Sequence, residues 1–336
     1  MAATSTWDDI AEFVRVVESP LAGEGLTCEV KTFEARFDSL GNRRTLQVSA
    51  KRKLASPPER DHESAICLTK YFKRNKDLDY TEVVIKSPHI QKAMREVIKS
   101  YPGVNLQSSR VILRDTPECL FHYRKELEAY GKSLADPTES QHVAFILQFM
   151  YQTLRHEIYS YHSLMMSDDM SFRGLPFENL WMAFRPGCIV YECASNGQDS
   201  AYRLVSMTRC TCPDPFCFAQ DWSLEAENIE CDGENFGYVK HTLMIRKYDG
   251  YKPLISLPIM PLDYHDRRDK ICGDLVTRGG KFISMIGISH WSYQGVGEAL
   301  SSRRRQTWVG ERDEFPLQAT RVRFVYTSQI SRVLTS

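Results

Sequence analysis

Apolar residues change their spacing three times from Thr27 onward, and that succession of periods limits the possible folds more than any single motif does. From Thr27 the pattern is alternating, with Val30, Phe33 and Phe37 in CEVKTFEARF, followed by LQVSA, AICLTKYF and TEVVIKS, and each segment predicts a strand. At Ser87-Pro88 the spacing becomes helical. Serine is placed to cap, proline takes the first helical position, and Ile90, Met94, Val97 and Ile98 form one apolar stripe that Tyr101-Pro102-Gly103 ends. A second helix is expected from near Pro117 through CLFHYRKELEAYGKSL. A third is expected from Asp136-Pro137, where Glu139 stands three residues after the capping aspartate. The last two should pack as an antiparallel helical hairpin.

After SDDMSFRGLP the alternation returns in LWMAFRPG, CIVYECAS, SAYRLVSMTR, WSLEAENIECD, FGYVKHTLMIRKY and PLISLPIMPL, separated by Asn-Gly, Pro-Asp-Pro and Asp-Gly turns. Six such segments predict a compact antiparallel barrel or sandwich, closed by a C-terminal helix from about His265 through DRRDKICGDLVTRGGKFISMI. The expected class is therefore α+β: N-terminal strands, a helical hairpin, then the β module. The expected divisions are a flexible N-terminus at 1–26, a strand-plus-helical region at 27–165, the β module with its closing helix at 176–320, and an atypical tail at 321–336. Within the first of these, Ile10, Phe13, Val14 and Val17 have the spacing of a brief amphipathic helix. The charged KRKLASPPERDHES, with Pro57-Pro58, should be a loop.

Charge narrows the function. Lys plus Arg and Asp plus Glu number 43 each, so no global field favours nucleic acid or an anionic membrane. No apolar run is long enough to span a bilayer, and MAATSTWDDIAEF has neither a basic nor an apolar leader region, which predicts a cytoplasmic or nuclear protein. Ten scattered cysteines without a secretion signal are expected to be reduced, mostly buried thiols.

The strings SPHIQKAMREVIKSYPGVN, FENLWMAFRPG, YDGYKPL and ERDEFPLQATR resemble the uncharacterised region that precedes the AAA+ core in large ATPases of filamentous fungi. The resemblance covers roughly Thr27 to Arg321. It implies that ATP and Mg belong to full-length relatives, in which a region like this one would present substrates or dock partners. In this chain the phosphate-binding signature is missing. Its nearest approach is Gly280-Lys281, but Leu275 stands where the loop needs glycine and Phe282 where it needs a hydroxyl for magnesium, so the stretch is read as helix surface. No apolar strand ends in Asp-Glu to hold the metal, so Walker A and Walker B are both lacking and no ATP hydrolysis is expected. After Arg321, VRFVYTSQISRVLTS departs from the relatives' pattern. The expectation is a truncated or misassembled gene product, or a shortened paralogue.

Of the remaining constellations, Cys210, Cys212 and Cys217 with Cys231 form the densest thiol cluster. Their C-x-C and C-x4-C spacings match zinc knuckles poorly, so a thiol-lined hairpin is preferred over a structural metal, and an oxidised Cys212–Cys217 pair is a further alternative. His156-Glu157 lacks the second histidine of a zinc protease, since Ser160 occupies that place; His290 has no partner by spacing; and no G-x-S-x-G is present. Gly295-Val-Gly297 is half of a dinucleotide fingerprint, with Leu300 in place of its third glycine. The basic run Arg303, Arg304, Arg305 is a solvated loop or a contact for acidic or phosphorylated groups. Aromatic residues concentrate in the β module, where an outward-facing groove would suit a peptide; Trp222 and Tyr251 join the three arginines as candidate partner-binding residues. The leading expectation is a non-catalytic recognition or adaptor region for a protein partner of an AAA+ machine, with no cofactor of its own. The rivals are a small enzyme using Cys217, His241 or Asp249, and a weak nucleic-acid or phosphate binder through Arg303 to Arg305.

Overall fold

Why strands and helices alternate where they do is clearest at the caps. Ser87 Oγ accepts from the Ile90 amide at 3.3 Å with Pro88 beside it, and Asp136 accepts from the Thr138 amide at 2.9 Å ahead of Pro137. Both helix starts therefore lie where the sequence places them. A computed structural model describes residues 25–48, 63–166, 169–193, 199–209, 221–231, 236–284, 291–293 and 306–308, and divides the chain into two units, Met1–Ser160 and Tyr161–Ser336.

The first unit holds a five-stranded mixed sheet of β1 (Thr27–Phe37), β2 (Arg43–Gln47), β3 (Ser64–Phe72), β4 (Leu78–Ile85) and β5 (Val111–Arg114), in the order β2-β1-β3-β4-β5. β2 folds back on β1 through a tight turn in which Asp38 Oδ1 accepts from the Leu40 and Asn42 amides, both at 2.9 Å, and Gly41 takes φ +81°. β3 then runs parallel to β1 on its other edge, while the remaining neighbours are antiparallel. The register lines up the buried Ile66, Ile85 and Val111 in one row and the half-buried Leu68 with the buried Val83 and Leu113 in the next, on one face of the sheet.

Five helices follow: α1 (Pro88–Val97), α2 (Glu118–His122), α3 (Arg124–Ser133), α4 (Pro137–Thr153) and α5 (Arg155–Met165). α3 and α4 pack as the expected hairpin, with α1 against both. The helix expected from Pro117 is broken at Tyr123, and its successor at Leu154. Between β4 and β5, Gln91 Nε2 donates to the carbonyls of Ile85 (3.0 Å) and Ser109 (2.9 Å), and Arg95 donates to those of Leu106 (2.7 Å) and Ser108 (2.9 Å). One helix face thus satisfies the loop backbone that leads into β5.

In the second unit β7 (Ile189–Cys193), β8 (Asp199–Arg209), β9 (Trp222–Cys231), β10 (Phe236–Ile245) and β12 (Ile259–Pro261) form an antiparallel sheet ordered β10-β9-β8-β7-β12. β6 (Gly174–Pro176) pairs with β11 (Tyr251–Pro253), α6 (Arg268–Ser284) follows, and β13 (Trp291–Tyr293) pairs with β14 (Gln306–Trp308). The expected barrel does not close. β10 and β12 come within 8 Å between Cα atoms without pairing, so the sheet is curled but open among the described residues. Prolines explain this: Pro253, Pro258 and Pro261 confine PLISLPIMPL to a 3-10 turn at Leu254–Ser256 and a three-residue strand. LWMAFRPG is likewise no strand. Phe177, Leu180, Trp181 and Phe184 are all buried at helical spacing, and Phe177–Met182 is a 3-10 helix.

Gly174 shows how closely β6 and β11 approach. A Cβ there would stand 2.3 Å from the Lys252 carbonyl oxygen and 2.7 Å from Pro253 Cα. Gly174→Ala is therefore expected to destabilise the second unit by ~1–3 kcal/mol through overpacking against backbone, read as a lowered thermal midpoint. An unchanged midpoint would show that the two strands separate freely.

Candidate functional site

The register of the β9–β10 hairpin gathers polar groups on the inner side of the curled sheet. Ala226, Asn228 and Glu230 share one face of β9, opposite His241, Val239 and Gly237 of β10. Gly237 has no side chain to fill the space across from Glu230. His241 Nε2 lies 2.8 Å from Asn228 Oδ1 and 3.7 Å from Glu230 Oε1, so with the amide in this orientation the Nε2 proton is donated to Asn228. Asn228 is only 2% exposed, yet its Nδ2 and the buried Oε1 of Glu230 have no hydrogen-bond partner among the described residues. From β8, the fully buried Tyr202 brings its ring to 5.2 Å from His241 and donates its hydroxyl to Glu192 Oε2 at 3.0 Å. Two carboxylates, an imidazole, an amide and a phenol are thereby collected from four strands. The orphan donor and acceptor suit an occupant that offers one acceptor and one donor, as water or an amide does.

At the end of the same sheet Tyr191 donates to Asp199 Oδ1 at 2.6 Å, and Arg278 of α6 donates to the Asp199 carbonyl at 2.5 Å. On the outer side, Phe236, Tyr238 and Met244 of β10 are exposed, Tyr238 most of all at 58%. Arg203, itself paired with Glu227, stacks over Tyr238 at 5.0 Å.

The first unit sequesters two further groups of titratable side chains. His142 Nδ1 is 2.8 Å from Ser87 Oγ, and burial, reinforced by the neighbouring His89, pushes its pKa down to about 4. A neutral ring that donates its other N–H to the Leu26 backbone must accept the Ser87 proton at Nδ1, which leaves Ser87 Oγ to cap α1. Tyr101 hydroxyl lies 2.9 Å from His122 Nδ1 and also bonds Glu118, whose carboxyl is raised to about 7 by burial, with the Tyr101 hydrogen bond opposing. Burial pushes the adjacent Cys119 thiol up to about 12. Ser87 and His142 have the composition of a catalytic dyad, but both are buried, and the pair closes a helix start instead.

The residues expected from sequence fare unevenly. Trp222, expected on a partner surface, is corrected to a core residue: it is 4% exposed, its indole N–H donates to the Phe177 carbonyl at 2.8 Å, and Arg209 covers its ring at 4.0 Å. Tyr251 is exposed, with its hydroxyl on the Phe172 carbonyl. Asp249 is exposed in the turn beyond β10 while His241 sits within the strand, and Gly280 and Lys281 are exposed on α6. Cys231 ends β9 opposite Phe236. Cys210, Cys212, Cys217, His290 and Arg303 to Arg305 lie outside the described residues, as do the Ile10–Val17 pattern and most of KRKLASPPERDHES. Among the described residues no cluster of three His, Cys, Asp or Glu is placed to hold a metal, and no helix is long and apolar enough to cross a membrane. The Asn228–His241–Glu230 group was missed because its members meet only across a hairpin; the one signal was polar residues at inward positions of a strand pattern.

Residues 169–266, which carry this polar cluster and β10, match a domain of unknown function (DUF7025). Neither the curated proteins nor the solved structures give a match to the chain.

Proposed function

We propose that this chain is a non-catalytic recognition or adaptor region, of the kind that stands ahead of an AAA+ motor in larger fungal proteins and docks protein partners or substrates. The observation that carries the reading is the exposed row Phe236, Tyr238 and Met244 on β10, with Tyr251 exposed on β11. Phe236 packs edge-on against Phe282 and Arg203 covers Tyr238, and partly exposed aromatic and methionine side chains of this kind on a strand anchor peptides. The link to a motor rests on the resemblance of SPHIQKAMREVIKSYPGVN, FENLWMAFRPG, YDGYKPL and ERDEFPLQATR, and no ATP turnover is expected of this chain.

The test is selection of peptides from a random displayed library on the full chain, repeated with Phe236→Ala/Tyr238→Ala. Peptides sharing apolar anchors should be enriched, and the double variant should bind them ~10-fold or more weakly. Enrichment of no consensus, or equal binding by the variant, would remove the reading. A second reading, a small enzyme centred on His241, draws on the Asn228–His241–Glu230 cluster. It requires turnover of activated esters or phosphates that His241→Gln abolishes and that matches folding-competent protein.

A further inference from the structure

One side of the first unit's sheet carries a run of aromatic side chains flanked by arginines. Ala35, Tyr71 and Tyr80 lie side by side across β1, β3 and β4, so Phe37, Tyr71, Tyr80, Glu82, Arg114 and Arg43 share one face; it is opposite in register to the buried row Ile66, Ile85 and Val111. Phe33, Ala35 and Thr69 on this face are buried, and its exposed part holds Arg43, Arg114 and Ile112, the last 42% exposed. Tyr71 and Tyr80 stack with centroids 4.4 Å apart and planes 16° from parallel. Arg114 lies 5.7 Å from the Tyr80 centroid, Arg43 lies 5.3 Å from Tyr71 and 5.0 Å from Phe37, and Arg74 lies 5.6 Å from Phe37. The ladder crosses five strands, roughly 19 Å at the usual strand spacing.

Its charges are mostly uncompensated among the described residues. Nearby Arg44 is paired with Asp38 and Lys73 with Asp79, but Arg43, Arg74 and Arg114 make no ion pair among the described residues. Glu82 stands across from Arg114 in register without closing one, so three guanidiniums face one carboxylate. Three exposed cations held over aromatic rings fit a ligand with anionic groups and planar ones at short intervals. An acidic peptide supplies only the charges. We propose that this sheet face binds single-stranded nucleic acid, the arginines taking phosphates and the rings and guanidinium planes taking unstacked bases. The chain's zero net charge makes this a local, salt-limited contact rather than a global attraction.

The experiment is fluorescence anisotropy of the full chain with labelled oligouridylate and oligothymidylate across a salt series, with a duplex of the same length and a polyglutamate peptide as competitors. Binding should weaken with salt at a log–log slope of about −2, for three phosphates on a single strand. Arg43→Gln/Arg74→Gln/Arg114→Gln should lower affinity ~10–100-fold and flatten the slope. The triple Arg→Lys variant, which keeps the charge and loses the plane, should keep the slope and bind several-fold more weakly. Thermal melts of both variants establish that they fold. The proposal is overturned by no binding at low salt, by unchanged affinity in the folded Gln variant, by duplex binding as tight as single-strand binding, or by equal competition from polyglutamate.

Discussion

Replacing Glu118 with glutamine is expected to stabilise the first unit by about 3 kcal/mol above pH 7 and by almost nothing at pH 4.5. The Glu118 carboxyl ionises near 4.5 in the unfolded chain and only at about 7 in the fold, because burial disfavours its charge. Between those values the native state holds a proton that the unfolded state has released. Stability therefore falls as pH rises from 4.5 to 7, and the full cost is present above 7. Glutamine cannot ionise, yet it keeps an oxygen for the Tyr101 hydroxyl. A urea midpoint for Glu118→Gln that tracks the parent at every pH would sink the assignment.

His142→Asn carries the opposite sign. His142 takes a proton near 6.5 when unfolded and at about 4 when folded, through burial first and the charge of His89 second. As pH falls from 6.5 to 4 the unfolded state binds a proton that the native ring refuses, so about 3 kcal/mol of stability is lost. Asparagine retains an acceptor for Ser87 and removes the titration. Truncating the ring will cost stability at every pH, so the readout is the slope and not the level. Between pH 4.5 and 6.5 the two groups oppose each other at ~1.4 kcal/mol per pH unit each, and their contributions in the parent should nearly cancel. Urea midpoints should then rise with pH in Glu118→Gln and fall with pH in His142→Asn. If the second variant has the parent's slope, His142 is not held neutral by the fold.

Neither effect was legible in the sequence, although Ser87 itself was. Ser87-Pro88 and Asp136-Pro137 announced helix starts because capping is local, decided within three residues. The partner of Ser87 comes from 55 positions away, through the packing of α4 against α1. The same limit applies to the sheets. Alternation in AICLTKYF and FGYVKHTLMIRKY located β3 and β10, but nothing local says that β3 pairs parallel to β1. Three- and four-residue strands such as β5, β6 and β11 are too short to show a period. The apolar run LWMAF reads alike as buried strand or buried helix, and the i, i+3, i+4 burial of Phe177, Leu180 and Trp181 makes it a 3-10 helix. At the candidate site, His241 stands out in the sequence, but Asn228 and Glu230 join it only through the hairpin register.

The open sheet of the second unit has two unlike margins. β12 is three residues long, ends in proline and follows Pro258, and such a strand offers a neighbouring molecule almost no amide ladder to extend. β10 is ten residues long, contains no proline, and pairs on one side with β9. Aggregation of partly heated protein should therefore be polar, nucleating along β10 and not along β12. Lys240, exposed midway along β10, is the natural gatekeeper against it.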